Sequence, residues 1–206
     1  MKGAIFDLDG VLVDTAKYHY LAWKQLAEEL GFEFKESDNE RLKGVSRMRS
    51  LEILLEVGGI TASETEKAKM AESKNNRYVK MLEGLSKEDL LEGAENYLQR
   101  LKGEGVRIAL GSASKNAPMI IEKLGIKSFF DAIVDGNSVS KAKPDPEVFL
   151  KGAEMLGLDP ADCVVFEDSQ AGIEAARNVG CGVVAVDVNG ILEGADKYVK
   201  CLREML

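Results

Sequence analysis

Short apolar runs punctuate the chain at Ala4–Phe6, Val106–Leu110, Ala132–Val134, Cys163–Phe166 and Val183–Val186. Each ends near Asp, Ser, Glu or Gly and is followed by helical periodicity, the pattern of parallel strands buried on both faces. Residues 7–105 hold no further convincing strand, far more chain than one crossover helix requires. An inserted helical domain is therefore expected over residues 15–84, interrupting an α/β core made of residues 1–14 and 85–206. Its first helix is predicted to start after Asp14, a candidate N-cap, and to stop at Gly31. Tyr18, Leu21, Ala22, Leu26 and Leu30 would form its buried stripe. A helix containing Leu51, Ile53, Leu54 and Leu55, and a longer, more polar one from about Ala62 towards Leu82, are its expected partners in a small bundle.

Composition narrows the classes. With 206 residues, 45% of them hydrophobic, the chain can bury a good core and carry a small insertion. Lys and Arg number 27 against 35 Asp and Glu, a formal net charge of -8, so no broad basic field exists to attract nucleic acid or an anionic membrane. An anionic substrate would have to be held by local groups: a metal, a few Lys or Arg side chains, and helix N-termini. Cys163, Cys181 and Cys201 form no C-x-x-C pair and lie in or near apolar stretches, which suits reduced thiols and a cytoplasmic setting. The start of the chain reads neither as a signal peptide nor as a membrane span, because a carboxylate, Asp7, arrives too soon.

The most informative segment is Ala4-Ile5-Phe6-Asp7-Leu8-Asp9-Gly10, where a buried strand runs into two carboxylates. If the strand stays extended through Asp9, its period of two puts Asp7 and Asp9 on one side, and Gly10 lets the backbone turn away. Close carboxylates repel unless something compensates them. A hard, oxygen-seeking Mg2+ would do so, and an aspartate beside it can attack phosphorus. Asp14 reads more simply as a helix cap. Glu167-Asp168-Ser169, after the fourth run, can serve the same site or cap the following helix, for which Asp168 and Ser169 both qualify. Ser112-Ala113-Ser114-Lys115 also fits the Ser-x-x-Lys pattern of penicillin-binding enzymes, but the Ser-Asp-Asn and Lys-Thr-Gly partners are missing, as are Walker and G-x-G-x-x-G loops.

Asp7-Leu8-Asp9-Gly10 after an apolar strand resembles the first signature of the haloacid dehalogenase superfamily. The strand ending in Ser112, Lys143 in Lys141-Ala142-Lys143-Pro144-Asp145-Pro146, and the pair Glu167-Asp168 resemble the other three, in the family's order. The resemblance implies a Rossmann-like parallel-sheet core with an inserted helical-bundle cap. It implies Asp7 as nucleophile, Asp9 as general acid and base, and Ser112 and Lys143 as groups that hold and neutralise the phosphoryl oxygens. It also implies Mg2+ bound by Asp7, the Asp9 backbone carbonyl, Glu167 and Asp168.

Within the superfamily, five segments are similar to the bacterial beta-phosphoglucomutases: Thr15 with His19, Trp23, Leu42-Lys43-Gly44-Val45-Ser46-Arg47, Ser112-Ala113-Ser114-Lys115-Asn116, and Glu167 to Ile173. The implied reaction interconverts beta-D-glucose 1-phosphate and glucose 6-phosphate through an aspartyl-phosphate and beta-glucose 1,6-bisphosphate. The implied partners are a sugar phosphate and a sugar bisphosphate, handled by a monomer. Substrate contacts are expected from Thr15, His19, Trp23, Gly44, Val45, Ser46, Arg47, Ala113, Ser114, Lys115 and Asn116. Arg47 would grip the distal phosphate. His19, the chain's one histidine, would link cap closure to Asp9; Trp23 fits either the bundle core or the pocket lining. Two other readings stand beside this one: a sugar-phosphate phosphatase with the same core, and a non-enzymatic phospho-aspartate receiver domain. The receiver would explain neither the insertion nor two aspartates after the first strand.

Overall fold

The computed structural model describes residues 1–42 and 45–206. In chain order its principal elements are β1 (Gly3–Phe6), α1 (Ala16–Glu29), α2 (Glu36–Asn39), α3 (Arg47–Gly58), α4 (Glu64–Met81), α5 (Ala94–Gly103), β2 (Arg107–Gly111), α6 (Ala117–Lys123), β3 (Ala132–Val134), α7 (Glu147–Leu156), β4 (Cys163–Glu167), α8 (Gln170–Val179), β5 (Gly182–Val186) and β6 (Lys197–Val199). They form two compact units, Met1–Asp14 with Leu85–Leu206, and Thr15–Gly84.

The first unit is a six-stranded sheet in the order β3-β2-β1-β4-β5-β6, with every neighbouring pair parallel. Alternation along the central strands sorts the core into two layers. Ile5, Ala109, Val165 and Val183 pack with Val148, Phe149, Ala153 and Leu156 of α7 and with Ile173 and Ala176 of α8. On the opposite face Phe6 stacks on Phe166 with ring centroids 4.4 Å apart, and Tyr97 of α5 meets both rings edge-on. Each large side chain buried in this way contributes about 1.5–3 kcal/mol, which is why these strands read as continuous apolar runs. The order reverses at β1, whose neighbours β2 and β4 continue in opposite directions, and open parallel sheets place their ligand sites at the carboxyl ends beside such a switch. β6 has no counterpart among the expected runs. It is a three-residue edge strand with Lys197 and Tyr198 exposed, so it carries no apolar signal.

The second unit is helical. Trp23, Leu26 and Ala27 of α1, Leu51, Leu54 and Leu55 of α3, and Ala71 of α4 share one core with Phe34 and Leu42. The buried face of α1 is rotated from the expected stripe: Leu21 is 48% exposed, while Trp23 is 2% exposed. The larger indole removes more apolar area from water, so it takes the inward position. The N-cap is Thr15 rather than Asp14, which is exposed. Among the described residues no helix is long and apolar enough to cross a membrane.

Candidate active site

β1 ends at Phe6, one residue short of the first carboxylate, and the Asp7 N–H donates to the Phe166 carbonyl at 2.9 Å, holding Asp7 beside β4. The strand does not stay extended through Asp9. Leu8 lies in a bend, and its carbonyl accepts from the N–H groups of Leu12 and Val13. The alternation argument for Asp7 and Asp9 therefore gives way to a tight turn. Gly10 completes it with φ +78°, a conformation that L side chains rarely adopt. A Cβ at Gly10 would also lie 2.0 Å from Asp168 Oδ2, so the first acid after β4 rests directly on the turn that follows β1.

Lys143 joins these two loops. Its ammonium donates to Asp7 Oδ1 and to Glu167 Oε1, both at 2.5 Å, and lies 4.8 Å from the Phe149 ring centroid. All three charged side chains are buried. Burial pushes the Asp7 carboxyl up to about 6; Lys143 opposes the rise and the Glu167 charge adds to it. For Lys143, burial works against the charge, but the two carboxylates outweigh it and raise the pKa above the ordinary lysine value. The lysine is thus held charged between two acids.

Glu167 is engaged: Oε1 accepts from Lys143, and Oε2 accepts from the Ser169 N–H at 2.7 Å and the Ser169 hydroxyl at 3.0 Å. Both oxygens thus accept hydrogen bonds within the protein, and the carboxylate keeps lone-pair capacity beyond these three bonds. Ser169 also accepts from the Gly172 N–H at 3.1 Å, so it caps α8.

Ser112 follows β2, buried, with its hydroxyl accepting from the Ser114 N–H at 3.1 Å; the Ser114 hydroxyl accepts from the Asn116 N–H at 3.2 Å. A second loop supports this one from behind. The Gly136 N–H donates to the Ser114 carbonyl, and Asn137 Nδ2 donates to the Lys115 carbonyl. A Cβ at Gly136 would be 2.3 Å from the Ala113 carbonyl oxygen, so the two loops touch backbone to backbone.

The helical unit gathers a second group. His19 stacks on Tyr78 with centroids 3.9 Å apart, and its Nδ1 lies 2.8 Å from Lys74 Nζ. Lys74 also sits 4.5 Å from the Trp23 ring centroid, so Trp23 belongs to both the bundle core and the wall around this lysine. The Tyr78 hydroxyl donates to Thr15 Oγ1 at 3.1 Å. Although an edge of His19 is solvent-accessible, burial of the ring, then the cations of Lys74 and Arg47, hold its pKa well below the ordinary 6.5. Arg47 opens α3 after Ser46, whose side chain accepts from the Arg49 N–H. Burial lowers the Arg47 pKa, with Tyr78 opposing. Val45 packs against the bundle core. Gly44 and its neighbour Lys43 lie outside the described residues.

Lys74 and Tyr78 were not among the expected site residues. A signal was present: Ala71, Lys74 and Tyr78 share one stripe of an otherwise polar α4, and all three are buried. A lysine on a buried stripe is the unusual feature.

Residues 1–180 match the family model described as haloacid dehalogenase-like hydrolase. The chain belongs to that family. Among individual haloacid dehalogenase-like proteins, it is 46% identical to the beta-phosphoglucomutase of Bacillus subtilis over 97% of this chain and 89% of the relative. It is 32% identical to a phosphorylated carbohydrates phosphatase of Thermotoga maritima, over 94% of this chain and 88% of that protein. The crystal structure of beta-phosphoglucomutase from Clostridium difficile superposes with a TM-score of 0.95 at 40% identity, covering 100% of this chain and 93% of the other.

The acids at these strand ends in this haloacid dehalogenase-like chain offer only hard oxygens: Asp7 and Glu167 on the Lys143 ammonium, and Asp168 against the Gly10 turn. Among the described residues no group of three or more His, Cys, Asp or Glu side chains is arranged to hold a metal ion. Hard oxygen donors of this kind suit Mg2+, an ion that retains several waters. The excess of acids over the single Lys143 is the electrostatic reason for one.

Proposed function

We propose that this chain is a beta-phosphoglucomutase, with residues 1–14 and 85–206 as its catalytic core and residues 15–84 as its helical cap. The observation that carries the chemistry is the buried ammonium of Lys143 shared between Asp7 and Glu167. The 46% identity to the Bacillus subtilis mutase supports the choice of reaction over hydrolysis.

Asp7 is the nucleophile. A carboxylate oxygen of Asp7 attacks phosphorus, the bond from phosphorus to the donor oxygen breaks, and the phosphoryl group resides on the aspartate. Phospho-Asp7 then passes that group to the 6-hydroxyl of beta-glucose 1-phosphate, and Asp9 removes the hydroxyl proton. The resulting 1,6-bisphosphate presents its other phosphate to Asp7; Asp9 returns the proton to the leaving sugar oxygen, and glucose 6-phosphate departs. Lys143 neutralises charge between the nucleophile and the phosphoryl oxygens, held there by Glu167. The Ser112 hydroxyl and the Ala113 and Lys115 N–H groups bind those oxygens, while the Ser114 and Asn116 N–H groups hold the loop's shape.

Mg2+ would be held by Asp7, the Asp9 carbonyl, Glu167 and Asp168, and would offset phosphate charge as a Lewis acid. In the cap, Arg47 binds the distal phosphate. His19, Lys74, Thr15 and Tyr78 hold one another in place around the sugar-facing residues Trp23, Val45 and Ser46. The three free cysteines suit a cytoplasmic setting.

The test is a coupled assay for glucose 6-phosphate, run separately on the alpha and beta anomers of glucose 1-phosphate with Mg2+ and a bisphosphate primer. Glucose 6-phosphate from the beta anomer alone is the expected result. Stoichiometric release of inorganic phosphate instead would make the protein a sugar-phosphate phosphatase, and stable phosphorylation without turnover would make it a receiver.

A further inference from the structure

Glu147, the first residue of α7, lies outside the set of groups assigned above, yet it makes more hydrogen bonds to the Lys143 loop than any helix cap requires. Its Oε2 accepts from the Ser140 N–H at 2.9 Å, the Ser140 hydroxyl at 2.9 Å and the Lys141 N–H at 2.8 Å. These donors precede Glu147 by six and seven residues, so the carboxylate closes a loop rather than its own helix turn. Lys143 sits inside that closed loop.

The backbone supplies few donors to hold the loop's shape. Pro144 and Pro146 have no N–H to donate. Other ties are the Lys143 ammonium to Asp7 and Glu167, the Asp145 N–H to the Ala142 carbonyl, the Glu147 N–H to Asp145 Oδ1, the Pro146 carbonyl to the first turn of α7, an exposed Lys141–Asp145 ion pair, and a long 3.4 Å contact from Asn178 to the Pro144 carbonyl. Glu147 Oε1 adds a second connection: it accepts from Lys151 Nζ at 2.6 Å, and the same ammonium donates to the Ser138 carbonyl at 2.7 Å. Ser138 and Asn137 are bound to Asp135, and Asn137 in turn holds the Lys115 carbonyl. A continuous network therefore joins the loop of Lys143 to the loop of Ser112–Asn116. Glu147 stays ionised: Lys151, then the backbone and hydroxyl donors, hold it down at about 2.

We propose that Glu147 is a positioning residue for phosphoryl transfer, fixing the Lys143 ammonium against Asp7 by closing the 140–147 loop and tying it through Lys151 to the turn behind Ser114. It rests on the reading of Lys143 given above. Glu147 itself touches no reacting atom, so its effect has to pass through Lys143.

The experiment is a double-mutant cycle on the full-length, Mg2+-loaded protein, with Glu147→Ala, Lys143→Ala and the double variant. The rate of Asp7 phosphorylation by acetyl phosphate and the kcat and KM for beta-glucose 1-phosphate are measured for each. Glu147→Ala is expected to lower the phosphorylation rate and kcat by about tenfold to a hundredfold, the scale of a misplacement near 1 Å, with KM changed less than about threefold. In the Lys143→Ala background the same change should add less than about twofold, the non-additivity of groups acting as a unit. Glu147→Gln retains a loop-closing oxygen but loses the Lys151 ion pair, so it should fall between wild type and Ala.

In the 15N-lysine spectrum of the unliganded protein, the protected Lys143 ammonium signal should weaken or shift in the same order. Lys143→Ala slow, with Glu147→Ala at the wild-type rate, would overturn the positioning role and leave the mechanism intact. Full additivity in the double variant would overturn it too, by showing a general structural effect. An unimpaired Lys143→Ala variant would remove the reading of Lys143 and this proposal with it.

Discussion

The carboxylate of Glu167 occupies the space that a side chain at residue 172 would need: an ideal Cβ on Gly172 would lie 1.9 Å from Glu167 Oε1. Gly172 sits in the first turn of α8 with ordinary helical geometry, so on propensity alone Ala would be favoured there by about 1 kcal/mol. The contact reverses that sign. Gly172→Ala should destabilise the protein by about 1–3 kcal/mol through overpacking and should slow phosphorylation of Asp7 by displacing the acid that holds Lys143. Gly103, in the last position of α5 with nothing within 4 Å of a Cβ, is the control. Urea denaturation of the two variants, with Gly103→Ala at or above wild-type stability, checks the comparison.

Asp7→Asn should abolish phosphoenzyme formation, because an amide supplies no attacking carboxylate oxygen. The fold should survive, since Lys143 retains Glu167 and the Asp7 N–H to Phe166 bond is a backbone contact. Intact-mass detection of the phosphorylated protein after acetyl phosphate treatment, with circular dichroism as the folding control, decides it; wild-type labelling would remove Asp7 from the mechanism.

His19 makes stability depend on pH. A lysine ammonium only donates, so Nδ1 of His19 accepts from Lys74 and the folded ring is neutral. Its folded pKa is depressed below 6.5, so the unfolded chain binds the extra proton first and the stabilisation, complete above 6.5, is lost as pH falls below that value. The slope contributed by one such group is at most about 1.4 kcal/mol per pH unit. His19→Asn retains an acceptor for Lys74 and does not titrate. Denaturation curves between pH 7.5 and pH 5, on the order of the range in which histidine ordinarily titrates, should fall more steeply for wild type than for the variant.

Arg47→Ala should lower kcat/KM for beta-glucose 1-phosphate by about 2–3 kcal/mol, the order of a charge-assisted bidentate contact. Phosphorylation of Asp7 by acetyl phosphate should be unchanged, because that donor has no distal phosphate for a guanidinium to hold. Both rates are measured on one preparation. Equal losses would assign Arg47 to general structure; no loss with either donor would leave the distal phosphate to other groups and favour the phosphatase reading.

The sheet and its central chemistry were legible because burial on both faces forces a local composition. Among the described residues, five of the six strands announce themselves as short β-branched and aromatic runs; Asp7 and Ser112 directly follow β1 and β2, and Glu167 ends β4. The edge strand β6 was not legible, because a three-residue strand exposed along most of its length need not be apolar. The rotation of α1 was also hidden: Leu21 and Trp23 both fit a helical stripe, and only packing against α3 and α4 selects the indole.

By itself, the sequence determined the order of the elements, the place of the insertion and the position of the acids, lysine and serine proposed to carry the chemistry, since each is a property of neighbouring residues. Tertiary structure alone decided how those groups divide the work. Glu167 reads as one of two adjacent acids, yet its oxygens are taken by Lys143 and Ser169, from a loop and a helix turn that only folding brings to it. Lys74 looks like an exposed helix lysine until Trp23, Tyr78 and His19 enclose it. Glu147 becomes a clamp on the Lys143 loop only when the chain between Ser140 and α7 folds back on itself. A charged side chain has no fixed role along the chain; its role is set by which donors and acceptors the fold puts within about 3 Å of it, where hydrogen bonding is strong.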